Sequence, residues 1–379
     1  MVFSITTIAQ KEDVFRSTSK ILNNAPDQVF DSIPSFAAYL RNNFHDDEKA
    51  ICGIYTWITA NISYDVENMY RIKYDIKPGE LAEKTFITRK AVCQGYSELF
   101  NELCQEAGIT SFVVNGYTKQ NGEISSMGHA WVVARINGDW YCFDPTWGAG
   151  YILERRFEKY FSADYYMVKP EKFIFTHMPL DPMWQLVDHP LTAMDFYNGV
   201  KGSDKEDKIY AYNDTIADYF RMTEAQQHQA TLRRVREQGR MNSVIQDYIR
   251  YMERVVENDE IRKKNEYQKK EVDTMNMSVN HYNTAVNLFN MYLDYFNHQF
   301  KPAMPDNKIR QMVDTCRTEI NDAGRFLRKV DPFSKEMKSN IEHLGEAIHE
   351  LSHNIGLQEK FLQKYLATAK PRREYLFRH

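Results

Sequence analysis

The chain has 379 residues, long enough for two domains with real hydrophobic cores. Its 48 basic and 52 acidic side chains leave a net charge of −4, so there is no electrostatic case for nucleic acid. No apolar run approaches the roughly 18 to 20 residues of a membrane span, and the five scattered cysteines show neither metal-ligand spacing nor a paired framework.

Residues 1–26 read as an N-terminal tail. Met1 to Gln10 lacks a basic start and has too short an apolar stretch for a complete export signal. Yet Thr7-Ile8-Ala9 before Gln10 has the small residues of a signal cleavage point. The segment is therefore either a disordered start or first strand, or the remnant of a signal peptide. The compartment stays open: cytoplasmic as written, periplasmic or secreted if residues 1–9 are such a remnant. Asp27 to Phe44 and Asp47 to Ile62 follow as helices, the second with Ile51, Ile54, Tyr55, Ile58 and Ile62 at helical spacing. Tyr70 to Arg89, with Lys77-Pro78-Gly79, reads as a surface loop.

Three short segments then carry chemistry. Ala91-Val92-Cys93-Gln94-Gly95-Tyr96 offers a thiol, Gly128-His129-Ala130-Trp131 an imidazole, and Phe143-Asp144-Pro145-Thr146-Trp147 a carboxylate. An imidazole that takes its proton makes a thiol a good nucleophile, and a carboxylate on the far side of the ring fixes the tautomer. Cys93 opens a helical run in which Tyr96, Leu99, Phe100, Leu103 and Ala107 recur at steps of three and four, with Gly108 as a stop. The first turn of a helix favours a thiolate and supplies N–H groups for an oxyanion. Ser111 to Tyr117 is a strand, and the polar segment Lys119 to Ser126 reads as a connection beside the site. His129 begins an alternating strand, Asn137-Gly138 is a two-residue hairpin signal, and Asp139 to Phe143 is the return strand. Eight residues lead from His129 to Asn137 and six lead back from Gly138 to Asp144, so pairing brings imidazole and carboxylate to one end.

On these segments the chain resembles the transglutaminase-like superfamily, with its papain-like cysteine-peptidase fold, and most of all the bacterial and kyphoscoliosis-peptidase-type branch. The likeness runs from roughly residue 45 to 195 and continues in Phe173-Ile174-Phe175-Thr176-His177-Met178-Pro179 and Trp184-Gln185-Leu186. It implies Cys93 as nucleophile, His129 as general base and acid, and Asp144 as orienter, in an enzyme without metal or cofactor. Gln94, Trp57, Tyr64 and Trp147 are candidates for binding substrate or its oxyanion, although Trp57 and Tyr64 equally suit a core. His177, taken alone, reads as structural.

Composition changes near Gly202. Asp204 to Asn258 makes one long or two shorter helices, with Gly239 as a break. Val272, Met275, Val279, Tyr282, Val286, Phe289, Leu293, Phe296 and Phe300 form one helical seam, and Met337, Ile341, Leu344, Ile348, Leu351 and Ile355 another. Ile309 to Val330 lies between them, set off by Lys301-Pro302 and Asp331-Pro332. An antiparallel bundle of four or five helices is expected. His349-Glu350-Leu351-Ser352-His353 matches a zinc-peptidase string, but no third ligand sits at a suitable spacing.

The expected architecture is α+β: a transglutaminase-like catalytic domain over 27–200 and an all-α bundle over 201–379. The expected activity is cysteine-dependent amide hydrolysis of a protein or peptide through an acyl-enzyme. Protein cross-linking is the alternative reaction, and a non-catalytic interaction module with a protein partner on the bundle is the alternative class.

Overall fold

A computed structural model describes residues 3–70, 77–200, 209–239 and 242–377. The chain divides into two units, Met1–Val256 and Glu257–His379.

The first unit begins with helix α1, Phe3–Asn23, which puts Phe15 and Leu22 into the core. The expected tail is thus a packed helix: Phe15 meets Tyr55 and Tyr166 ring to ring, which is burial that a disordered start lacks. A 3₁₀ turn at Asp27–Asp31 precedes α2, Ile33–Asn43, so the predicted helix at Asp27 to Phe44 is broken where Ser32 forms a capping box with Ser35. Helix α3, Asp47–Asn61, is capped by Asp46 and buried on every side from Ala50 to Thr59. Ser63–Tyr64, β1, pairs in parallel with β2, Lys90–Ala91.

Between those strands lies α4, Pro78–Thr88, where a loop was expected. Residues 71–76 of that segment fall outside the described residues. Pro78 suits the first helical position, and Ala82, Thr85 and Phe86 bury one face. The pattern is helical, hidden by the Pro-Gly pair at its start.

Helix α5, Cys93–Glu106, buries Tyr96, Leu99, Phe100 and Leu103 against the sheet. The sheet runs β5-β4-β3-β8 and is antiparallel throughout, from β3, Ser111–Gln120, β4, Glu123–Ile136, β5, Asp139–Phe143, and β8, His177–Pro179. Both turns of the β3-β4-β5 meander use Asn-Gly with positive φ, at Asn121-Gly122 and Asn137-Gly138. The expected connection at Lys119 to Ser126 is therefore mostly strand, with Gln120 paired to Glu123.

Strand β4 is buried on both faces. Val132, Ala134 and Ile136 join the core of α1, α2, α3 and α5. Trp131 and Val133 join a second core with Phe173, Met183, Leu186 and Ile216. Gly116 in β3 lets Trp131 and the Met178 carbonyl close in; a Cβ there would lie 2.2 Å from the Trp131 ring and 2.3 Å from that carbonyl. After β5 come α6, Pro145–Ala149, and a hairpin of β6, Gly150–Leu153, with β7, Arg156–Lys159. Two short helices, α7 at Pro170–Phe173 and α8 at Ala193–Asn198, flank β8.

The next helices differ from expectation in where they belong. Asp204 to Lys208 fall outside the described residues, α9 is Tyr212–Arg221, α10 is Glu224–Glu237, and Gly239 breaks the run with φ 83°. Ile216 of α9, Leu232 and Val235 of α10, and Ile245, Ile249 and Met252 of α11, Ser243–Asn297, pack into cores that include strand residues of the first unit. The boundary therefore falls at Val256, not near Gly202. These segments cover the sheet, so they cannot supply the bundle.

Among the described residues the second unit has three long helices, not four or five: α11 from Glu257 onward, α12, Asp306–Leu327, and α13, Lys335–Ala367. The seam of α11 runs through Glu271, Ser278, Ala285, Phe289 and Tyr292, so it lies one residue before the expected Val272, Val279 and Val286. Ser278 occupies the seam because its hydroxyl donates to the Ala323 carbonyl at 2.7 Å. His349 and His353 are both exposed and join no third donor among the described residues. A chelator should accordingly leave any amidase activity unchanged, and His349→Ala should alter unfolding free energy by less than about 0.5 kcal/mol. Stoichiometric zinc lost with that variant would contradict both.

Candidate active site

Each member of the expected triad is placed by its local structure. Cys93 is the first residue of α5, and Val92 before it supplies no side-chain cap, so the first-turn amides remain open to an anion. The β1-β2 pairing sets Tyr64 opposite Ala91, two residues before the thiol. His129 lies within β4, directly opposite Gly116. Asp144 leaves the end of β5 as the N-cap of α6, and its Oδ1 accepts from the Thr146 and Trp147 amides at 2.9 and 3.0 Å.

The imidazole and carboxylate meet. His129 Nε2 donates to Asp144 Oδ2 at 2.8 Å, with the carboxylate fully buried. That leaves Nδ1 for the thiol. Burial alone disfavours an imidazolium, but the charge and hydrogen bond of Asp144 outweigh it and a thiolate at Cys93 adds to them, raising the His129 pKa to about 10. Asp144 moves the other way: burial raises it, yet the two histidines hold it well below the usual carboxylate range. The arrangement favours a protonated imidazole at His129.

A second histidine shares the carboxylate. His177 of β8 donates from Nε2 to the same Oδ2 at 3.2 Å. Taken alone His177 reads as structural; its place beside the carboxylate comes from the pairing of β8 with β3, which sets His177 opposite Thr118 and is not visible in the sequence. His129, Asp144 and His177 also form the one cluster among the described residues with metal-ligating reach. Both nitrogen–oxygen separations are hydrogen-bond lengths, however, and a cation would have to displace both protons.

Cys93 and His129 open onto a cleft of about 1660 Å³, which Tyr64, Gln94 and Trp147 also line. Tyr64 lies tilted against Tyr96 and Phe157, and burial together with the neighbouring Cys93 and Asp144 side chains pushes its hydroxyl upward, so it stays protonated. Trp147 lies against both imidazoles, 5.4 Å from His129 and 4.6 Å from His177 between ring centres. Gln94 has its amide donating to Glu98 at 2.6 Å, so that group is engaged within the helix instead of pointing at an oxyanion. Trp57 is not in the cleft. It is buried among Phe30, Phe36 and Phe86 with the Arg89 guanidinium over its ring, because the apolar faces of α2 and α4 enclose it. The far side of the cleft is formed by Leu180 and by Val244, Tyr248 and Tyr251 of α11, which sequence reasoning had assigned to the bundle.

Comparisons with known proteins bear on the family of this region. A family profile described as the transglutaminase-like superfamily matches residues 34–145. Kyphoscoliosis peptidase of Mus musculus is 32% identical over 165 residues, which cover 41% of this chain and 24% of that protein. The Homo sapiens protein of that name is 30% identical with the same shares. Hillarin of Drosophila melanogaster is 27% identical over 175 residues, or 40% of this chain and 20% of that one. The chain thus spans about a quarter or less of the length of these relatives. A solved structure of a TGase aligns with a TM-score of 0.24 and 17% identity over 41% of each chain, an overlap too slight to bear on the fold.

Proposed function

Because residues 34–145 form a transglutaminase-like domain, we propose that this protein is a cysteine-dependent amide hydrolase acting on proteins or peptides. Cys93, His129 and Asp144 carry the reaction. The observation that carries the reading is the 2.8 Å His129–Asp144 bond behind an imidazole that shares a cleft with Cys93. The relatives named as peptidases support it. The Cys93 thiolate adds to an amide carbonyl, and the first-turn amides of α5 with the Tyr64 hydroxyl receive the oxyanion. Protonated His129 gives its proton to the departing amine, leaving a thioester. The neutral ring then takes a proton from water, whose oxygen attacks the thioester, and the acid leaves as the thiolate re-forms. An amine entering in place of water would cross-link by the same earlier steps, and analysis of the products distinguishes the two.

The test is alkylation by iodoacetamide with mapping of the modified residue. Cys93 should react fastest. The other four cysteines are buried, so speed alone proves little. The deciding control is His129→Ala, which should slow Cys93 about ten- to thirty-fold at pH 7, since an unassisted thiol is only about 3% thiolate there. An unchanged rate would sink the triad and favour an interaction module.

A further inference from the structure

Asp144 receives four hydrogen bonds, and three have evident sources: two α6 amides and His129. The fourth comes from His177, which is 1% exposed. A carboxylate oxygen can only accept here, so His177 must carry its proton on Nε2. Its Nδ1 is then bare and lies 2.8 Å from the Thr176 hydroxyl, whose one proton has this nitrogen as its nearer acceptor, the Phe173 carbonyl being 3.2 Å away. Phe173 stacks on one face of the ring at 3.8 Å, and Trp131 meets it edge-on. Burial lowers the affinity of His177 for a second proton, to a pKa of about 4, with the Asp144 charge offsetting only part of that. At neutral pH it is an uncharged donor held in one tautomer.

We propose that His177 is a positioning residue for the triad: a neutral imidazole that pins Asp144 through Nε2 and tempers the charge the carboxylate presents to His129. The proposal rests on the triad reading. Both imidazoles share Oδ2, so each hydrogen bond there draws on the same electron density. The His177 bond stabilises the bare carboxylate more than the carboxylate already neutralised by an imidazolium. It therefore makes His129 easier to deprotonate, which helps the ring pass its proton to a leaving amine and later serve as base. The other ionisable groups facing the carboxylate are Cys93 on α5 and the hydroxyls of Tyr55 on α3, Tyr64 on β1, Tyr96 on α5 and Tyr165 ahead of β8. Burial pushes all four tyrosines upward, so they stay neutral. With Cys93 removed, His129 is the group left to titrate.

The experiment is ring-nitrogen NMR of the full chain with isotope-labelled histidine, in a Cys93→Ala background, with resonances assigned by substitution. His177 should remain neutral and Nε2-protonated from pH 5.5 to 8. His177→Phe, which removes the donor but keeps a ring between Phe173 and Trp147, should raise the pKa of His129 by about one unit. His177→Gln, whose amide can donate, should bring it most of the way back. A merely space-filling ring predicts no shift with Phe. Identical His129 titrations in all three proteins, or a His177 that gains a proton or sits in the other tautomer, would overturn the proposal. If His177→Phe fails to fold, His177→Leu, which likewise cannot donate, takes its place and should raise the His129 pKa in the same direction. Failure of the alkylation test would remove the triad but leave this spectroscopic result readable.

Discussion

Asp144→Asn should lower amide turnover by about 10⁴-fold while the protein still unfolds cooperatively. The two halves of the carboxylate have different tasks. Oδ1 accepts from the Thr146 and Trp147 amides, and an asparagine carbonyl can keep both bonds. The amide nitrogen must then stand where Oδ2 meets His129 and His177. An NH₂ group donates, so it selects the His129 tautomer with a bare Nε2 and the proton on Nδ1. That proton faces the thiol and prevents the ring from accepting another. His177 also loses its acceptor and must change tautomer. Asp144→Ala should impair turnover as well, since nothing supports the imidazolium. If Asp144 merely caps α6, asparagine, an equally good cap, should preserve turnover. Kinetics on any amide substrate, with thermal unfolding alongside, decide between these.

The placement of Cys93, His129 and Asp144 was legible because each sits on a local signal: a helix start at Cys93, and a hairpin that returns Asp144 to His129. Local signals misled where their meaning depends on neighbours. Asn137-Gly138 was read as a turn, but the same pair at Asn121-Gly122 was taken for a connection because polar residues flank it. Lys77-Pro78-Gly79 looked like a breaker, yet proline at a helix start is favourable. Trp57 and Tyr64 are both aromatic and close in sequence, and only tertiary packing separates them: α2 and α4 enclose Trp57, while pairing to Ala91 carries Tyr64 to the cleft. The expected seam holds at Phe289 and Phe300, with Tyr282, Leu293 and Phe296 packed against the same core, but at Val272, Val279 and Val286 of α11 it slipped by one residue because apolar type was the only guide. Ala285 and Ser278, small enough for close approach, outweigh the valines beside them.

The domain boundary was missed for a similar reason, since helical periodicity does not say which surface a helix will cover. Arg234 of α10 supplies part of the answer, and Arg234→Ala should lower unfolding free energy by about 3–5 kcal/mol. Its Nε and Nη2 donate to the two oxygens of Asp181 at 2.8 and 2.7 Å, and both side chains are nearly excluded from water. Asp181 follows β8 closely, so the pair fastens α10 to the strand that carries His177. Truncating the arginine strands a buried carboxylate whose remaining bond is from the Met183 amide at 3.2 Å. An exposed ion pair of the same geometry would contribute under about 1 kcal/mol. Urea unfolding of the full chain reads the difference. Replacing both partners, Arg234→Met with Asp181→Leu, should recover much of the loss, because the penalty lies in the unpaired charge and not in the missing attraction. A loss below about 1 kcal/mol in the single variant would mean that water reaches the pair, and α10 would then be held to the sheet by Leu232 and Val235 alone.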